Sequence, residues 1–250
     1  LISDNMDAKA QEVFIKNNID VDIKTGLNEE ELIELIPNYN ALLVRSATKV
    51  TSKIISAGNN LKVIGRAGSG VDNIDLESAK KNNIIVMNTP GANSNATAEH
   101  TLALILSILR KIPLSNKSTH EGKWEKKSIK GNELSKKVIG LVGLGNVSLR
   151  LIELLEGFNV KILIYSNSFE KRKISLSNIS NVSNLSLNEL LSESDILSFH
   201  CKSSMDGIPF INSNELKKMK KTAYIINTSR GNIINENDLN EALNNNLLAG

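Results

Sequence analysis

Two sets of residues in this chain are spaced for chemistry on anions, and the first is a glycine pair, Gly143 and Gly145, inside KVIGLVGLGNVSLRLIELL (Lys137 to Leu155). An apolar run from Val138 to Val142 precedes the pair, and Val147, Leu151, Leu154 and Leu155 follow at helical spacing. That pattern predicts strand, tight turn and helix. Glycines at such a turn let backbone amides approach a phosphate with no Cβ in the way, while the positive end of the helix dipole faces the anion. An ordinary strand-to-helix turn carries the same glycines, so the context has to decide. A second strand, Val160 to Tyr165, arrives where a βαβ unit places it, after Gly157, which is positioned to close the helix. The chemistry expected is binding of a dinucleotide pyrophosphate. Two positions depart from the glycine fingerprint: Ser148 stands at the third glycine, and Ser166 follows the second strand where an acid ordinarily holds the ribose.

The second set is arginine at predicted strand ends. Arg45 and Ser46 follow one strand, and Arg66-Ala67-Gly68-Ser69-Gly70 follows the next. Ligands of open α/β sheets sit outside the carboxyl ends of the strands. One arginine there can simply pair with a nearby acid, but two on neighbouring strands, beside a loop of small residues, offer planar donors and free amides to a carboxylate or phosphate. A small anionic substrate is expected. The three histidines offer less. His100 lies in an apolar helix and reads as packed and hydrogen-bonded, His120 belongs to a polar segment around the single Trp124, and His200 ends a strand. The lone tryptophan suggests an interface anchor.

Elements that position these residues alternate regularly. Before residue 90 the pattern predicts strands at Leu1 to Ser3, Val21 to Ile23, Ala41 to Ser46, Leu61 to Arg66 and Ile84 to Asn88, with helices between them, one stopped by Pro37. A long apolar helix, Ala96 to Leu109, follows, capped by Ser94 or Asn95 and ended by Arg110, Lys111 and Pro113. Beyond the glycine pair, Ser166 to Ser186 is rich in Ser and Asn and is placed on the surface. Strands Asp195 to Phe199 and Tyr224 to Asn227 end in His200-Cys201 and Thr228-Ser229-Arg230-Gly231, and a helix spans Glu236 to Leu243. The fold class is α/β, with two doubly wound domains whose sheets are mostly parallel. Residues 1–94 form the first domain, and residues 95–250, including the linking helix 96–109, form a dinucleotide-binding domain.

Composition narrows the classes. With 40% hydrophobic and 23% charged residues the chain is globular, and a net charge of +3 with evenly spread lysines argues against nucleic acid, the cluster Lys171-Arg172-Lys173 notwithstanding. No apolar run is long enough to span a membrane. Cys201 is the only cysteine, so there is no internal disulfide, and with the scattered histidines there is no zinc constellation. A cytoplasmic location is expected.

The phrases VRSATKVT (Val44 to Thr51), GRAGSGVDNIDLE (Gly65 to Glu77), VMNTPGANS (Val86 to Ser94), EGKWEKK (Glu121 to Lys127), GLVGLGNV (Gly140 to Val147) and INTSRGNIINENDLNEAL (Ile226 to Leu243) resemble the D-isomer-specific 2-hydroxyacid dehydrogenases. VRSATKVT and GRAGSGVDN point to the branch acting on 3-phosphoglycerate more than to the lactate or formate branches. The resemblance implies a flavodoxin-like substrate domain, a Rossmann cofactor domain, and NAD-dependent oxidation of 3-phospho-D-glycerate in serine biosynthesis. It leaves glyoxylate or hydroxypyruvate reduction, and nicotinamide sensing of the corepressor type, as alternatives. It implies that Arg230 binds the substrate carboxylate and keto oxygen, with Arg45, Ser46, Arg66 and Gly68 on the substrate side. Ser69, Gly143, Gly145, Asn146, Val147, Ser166, Cys201, Thr228, Ser229 and Arg230 are the cofactor positions it implies. NADP is not excluded, because Ser166 replaces the acid that would repel a 2′-phosphate. By the same resemblance the chain forms a homo-oligomer, dimer or tetramer. The family's catalytic His and Glu, and a segment completing the first domain, would follow Gly250. That segment's absence would leave the stripe Leu102, Ile105 and Leu109 uncovered.

Overall fold

The computed structural model describes residues 1–176, 182–204 and 206–250, and the chain divides into two compact units, Leu1–Asn93 and Ser94–Gly250.

In the first unit, three parallel strands, β1 (Ala41–Val44), β2 (Val63–Arg66) and β3 (Ile85–Asn88), pair in that order. Helices α1 (Ala8–Lys16) and α2 (Glu29–Leu35) precede β1, and α3 (Ser52–Ala57) and α4 (Leu76–Lys81) connect the three strands. The expected strands at Leu1 to Ser3 and Val21 to Ile23 reduce to isolated parallel bridges, Ile2 with Ile23 and Ile2 with Leu43. Ile2 is buried while Ile23 is half exposed, so one residue of each segment is drawn into the sheet edge and the flanking residues stay outside it. The core is Leu32 and Ile36 packed on Leu42, Val44, Ile54, Ile55 and Ile64. α2 starts with a reciprocal cap between Asn28 and Glu31, and Pro37 opens a 3₁₀ turn, Ile36–Asn38, that prolongs α2.

The second unit contains a five-stranded parallel sheet in the order β6-β5-β4-β7-β8, built from β4 (Val138–Val142), β5 (Lys161–Tyr165), β6 (Val182–Asn184), β7 (Ile196–Phe199) and β8 (Tyr224–Asn227). Both faces are buried, and the strands alternate between them as the two-residue period requires. Ile139, Leu141, Ile162, Ile164, Ile196 and Ile226 pack on one side with α5 (Ser94–Leu109) and α7 (Asn146–Leu155). On the other side Val142, Leu163, Leu197 and Phe199 pack with α9 (Leu187–Glu193), α10 (Ser213–Leu216) and α11 (Glu236–Asn244). Strand order therefore reverses at β4, whose neighbours β5 and β7 lead in opposite directions. That is the switch point at which doubly wound sheets bind ligands.

Several expectations need correction. Ser94 and Asn95 lie inside the first turn of α5 instead of capping it. The stripe Leu102, Ile105 and Leu109 is not bare: Ile105 and Leu109 are buried and Leu102 packs against the same core, because α5 lies on α7 within the second unit. Pro113 does not stop a helix but sits in the first turn of α6 (Ile112–His120), entered through Lys111 in the left-handed conformation. Gly157 does not close α7; it lies in a 3₁₀ turn, and Asn159 takes the left-handed position, φ 53°. The stretch after Ser166 is not all surface, since it holds α8 (Phe169–Arg172) and β6, with Phe169 and Leu176 buried. The part of that expectation covering residues 177–181 falls outside the described residues.

Candidate functional site

In the second unit the predicted residues gather at the carboxyl ends of β4, β5, β7 and β8. Gly143 follows β4 with φ +97°, and a Cβ there would stand 2.7 Å from the carbonyl oxygen of His200 and 3.1 Å from Cβ of Cys201. Only glycine takes that backbone conformation without strain and lets the β4 and β7 ends approach so closely. Gly145 faces open space, with nothing within 4 Å of a Cβ built on it. It occupies the cap position of α7 and has no side chain to close the helix end, whereas Asn28, Ser186 and Asn212 close theirs. The first-turn amides of α7, beginning at Asn146 and Val147, therefore point toward an unfilled approach. That arrangement fits the pyrophosphate of a dinucleotide.

Ser148 is fully buried and its Oγ donates to the Gly143 carbonyl at 2.9 Å, which replaces the missing third glycine with a bonded side chain. Val147 turns partly into the core beneath α7. Asn146 is exposed, and its Oδ1 accepts a bond from Nη1 of Arg172 at 2.9 Å. Ser166, half-buried, shares a 2.9 Å contact between its Oγ and that of Ser168. Cys201 is partly buried and packs against the core on the α9 side of the sheet; burial pushes its thiol above the ordinary range, so it is held as a neutral thiol. His200 is mostly buried beside it, with Nε2 2.9 Å from Ser198 Oγ, and burial pushes its pKa down to about 4. It is a neutral, structural imidazole. His100, expected to be packed, is exposed, because its position on α5 falls opposite the buried Ala98, Thr101 and Ile105.

The loop after β8 is held from two sides. Thr228 Oγ1 lies 2.9 Å from Oγ1 of Thr101, a buried residue of α5. Asn227 accepts from the Ser229 amide at 3.0 Å and from its hydroxyl at 3.1 Å, and its Nδ2 donates to the Arg230 carbonyl at 2.8 Å. Arg230 itself donates from Nη1 to the Ser229 carbonyl at 2.9 Å. Asn227 was not singled out in the sequence, although an Asn just before a turn is a standard signal for this kind of clamp.

In the first unit, Arg45 and Ser46 follow β1, Arg66 is the last residue of β2, and Gly68 and Ser69 follow it, each at the carboxyl edge. Asp4 organises the first of these loops. Its buried carboxylate accepts from the Arg45 amide at 2.5 Å, the Thr48 amide at 3.1 Å and the Thr48 hydroxyl at 2.6 Å. Asn73 completes the hold by donating to the carbonyls of Arg45 at 2.8 Å and Thr48 at 2.6 Å. Arg45 is exposed, and its Nη1 donates to the Asn5 carbonyl at 3.1 Å. Arg66 folds over Gly68: a Cβ at that glycine would lie 1.6 Å from Arg66 Nη1. Arg66 Nε is buried and has no hydrogen-bond partner among the described residues. Such a donor is costly to leave unmade, and an anionic oxygen would satisfy it. Ser69 donates to Asn93 Oδ1 at 2.8 Å and its carbonyl accepts from Asn88 Nδ2 at 2.7 Å. A cavity of about 560 Å³ in this unit touches Ser46, Lys49, Asp72 and Asp75 but neither Arg45 nor Arg66. Its two carboxylates suit it poorly to an anion, so the arginines and not this hollow mark the basic surface.

Among the described residues no group of His, Cys, Asp and Glu is placed to hold a metal ion, and no helix is long and apolar enough to cross a membrane.

Comparison with known proteins agrees with this geometry. Residues 102–250 match the family model described as D-isomer specific 2-hydroxyacid dehydrogenase, NAD binding domain. The D-3-phosphoglycerate dehydrogenase of Synechocystis sp. is 42% identical over 243 residues, which cover 97% of this chain and 43% of that protein. A hydroxypyruvate reductase of Thermotoga maritima is 39% identical, with 96% of this chain and 76% of that protein covered. Among solved structures, the NAD-dependent formate dehydrogenase of Staphylococcus aureus in complex with NAD superposes with a TM-score of 0.84 at 28% identity, covering 97% of this chain and 73% of that one. The chain spans less than half the length of the Synechocystis relative and of an Archaeoglobus fulgidus D-3-phosphoglycerate dehydrogenase, 43% and 46%. A cradle at the switch point of a parallel sheet, and a match that runs through the whole of that sheet, make the second unit an NAD-binding domain, and the chain belongs to the D-isomer-specific 2-hydroxyacid dehydrogenases.

Proposed function

We propose that this chain serves the NAD-dependent oxidation of 3-phospho-D-glycerate to 3-phosphohydroxypyruvate. The observation that carries the reading is the pair of arginines at neighbouring strand ends, Arg45 and Arg66, the second with an unpartnered buried Nε. A phosphorylated hydroxy acid carries two anionic groups, and each charge-assisted contact with a guanidinium is worth about 1.5 to 3 kcal/mol. Arg230 takes the carboxylate and polarises the oxygen at C2, a task its planar fork suits better than an ammonium would. When bound in the cradle, the nicotinamide supplies a two-electron hydride acceptor. Asn227 and Thr101 hold the Arg230 loop in place, and Gly143, Gly145 and the α7 amides orient the pyrophosphate. The hydroxyl proton requires a base. His200 is unsuited to it, since its ring is buried and engaged with Ser198.

Support for the substrate also comes from the phosphoglycerate dehydrogenases among the relatives; the hydroxypyruvate reductase, of which the chain covers 76%, favours a second reading as a reductase of unphosphorylated keto acids. Comparing kcat/KM for 3-phosphoglycerate, D-glycerate and D-lactate, in the protein that carries these residues, separates the two. A preference for the phosphorylated acid supports the first reading, and equal values would overturn it. Trp124, 83% exposed, and the exposed Ile112 and Leu114 of α6 support assembly into a homo-oligomer as part of the same proposal. A cytoplasmic location fits a chain whose one cysteine is a neutral, half-buried thiol.

A further inference from the structure

The acid that ordinarily holds the adenosine ribose follows the second strand of such a domain, and its absence here leaves a different set of groups at that edge. From Ser166 to Ser186 the sequence contains one acid, Glu170. Its Oε2 lies 3.6 Å from Lys173 Nζ, and both side chains are mostly exposed. Neutral and cationic groups occupy the edge instead. Ser166 Oγ and Ser168 Oγ are 2.9 Å apart, and the Ser168 amide donates to Ser166 Oγ at 3.2 Å. Phe169, buried in the core beneath α7, anchors α8 and thereby places Arg172. Arg172 is half-buried and bridges from α8 to the first residue of α7 through its 2.9 Å bond to Asn146 Oδ1. The end of β5 and the glycine turn are joined as well, since the Gly143 amide donates to the Tyr165 carbonyl at 2.9 Å. Two hydroxyls and a guanidinium therefore border the mouth of the cradle on its β5 side.

We propose that Ser166, Ser168 and Arg172 form a subsite for the 2′-phosphate of NADP, so that this phosphate strengthens binding to the chain where a carboxylate would oppose it. The proposal rests on the reading of the Gly143 turn as a dinucleotide cradle. A carboxylate after β5 would accept the ribose hydroxyls and repel a 2′-phosphate; a serine pair removes the repulsion and donates to phosphate oxygens. The bond to the neutral Asn146 uses one of the five N–H donors of Arg172 and leaves its charge uncompensated by that contact. A planar guanidinium so placed matches a phosphate with two parallel bonds. Lys173 contributes less, because Glu170 shares its charge.

Calorimetric titration of the full chain with 5′-AMP and with adenosine 2′,5′-bisphosphate tests this without any turnover, and titration with NADH and NADPH accompanies it. Adenosine 2′,5′-bisphosphate is expected to bind at least about tenfold more tightly than 5′-AMP. Arg172→Gln should abolish that difference while leaving 5′-AMP binding as it was, and Ser166→Asp should reverse the preference toward the unphosphorylated ribose. Equal affinity of the two adenosine nucleotides for the unaltered chain, with NADH still bound, overturns the subsite and spares the cradle. Failure to bind either dinucleotide overturns both.

Discussion

Ser148 Oγ donates to the carbonyl of Gly143 at 2.9 Å, so the residue at the third fingerprint position is bonded to the residue at the first. The serine is fully buried, and its hydroxyl finds its acceptor inside the turn that it would otherwise crowd. Ser148→Ala is expected to cost about 1 kcal/mol of unfolding free energy through the lost bond. Ser148→Val puts a branched side chain into a slot already filled, costs about 1 to 3 kcal/mol, and weakens NADH binding because the turn has to move. Denaturant titration and calorimetry read both effects. A valine variant with unaltered stability and affinity would show that the slot is loose.

Asp4 sets the loop that carries Arg45. Replacing it by Ala leaves the amides of Arg45 and Thr48 and the Thr48 hydroxyl without their common acceptor, at about 1 to 3 kcal/mol for each donor left buried. Asp4→Asn keeps the shape, loses the charge and should be milder. Both should lower kcat/KM for 3-phosphoglycerate through KM, with the affinity of the second unit for NADH unchanged. An Asp4→Ala protein of ordinary stability and ordinary KM would show that the loop holds itself.

His200 makes stability depend on pH. Its folded pKa is pushed down from 6.5 to about 4 by burial, so below about pH 6.5 the unfolded chain binds a proton that the folded chain refuses. The contribution is present in full above that point and is lost as pH falls toward 4, by up to about 3 kcal/mol. His200→Asn removes the titration. Urea midpoints at about pH 7 and about pH 5 should differ for the unaltered chain and differ less for the variant. Identical pH dependence in the two proteins would assign the effect to other groups.

Trp124 is 83% exposed beside α6, and Ile112 and Leu114 of that helix are more than half exposed. Sedimentation velocity should find an oligomer for the unaltered chain, and Trp124→Ser should shift it toward monomer. An unchanged sedimentation coefficient in the variant would place the contact elsewhere.

Much of this was legible where local pattern and tertiary need agree. β4, β5, β7 and β8 read clearly because burial on both faces demands continuous apolar runs, and Gly143, Gly145 and the strand-end arginines follow from those strands. β6 was not legible, since Val182–Asn184 is short and half polar and owes its existence to pairing with Ile162 to Ile164. α6 was hidden by Pro113, which signals a first turn as readily as a stop. Long-range partners left no local trace: Asp4 lies 41 residues from Arg45, and Arg172 lies 26 from Asn146. His100 misleads because a run as apolar as that of α5 points to burial on several sides, when the polar positions Glu99 and His100 mark its outward face.

Under the proposed function, a hydride passes from C2 of a phosphorylated hydroxy acid to a nicotinamide. The most direct measurement uses 3-phosphoglycerate deuterated at C2, incubated with the dinucleotide and the protein carrying this chain, followed by mass spectrometry of the reduced nicotinamide. Deuterium in the reduced nicotinamide, formed faster than from deuterated D-glycerate or D-lactate, is the predicted result. Reduced nicotinamide without deuterium, or equal transfer from all three acids, would contradict the account.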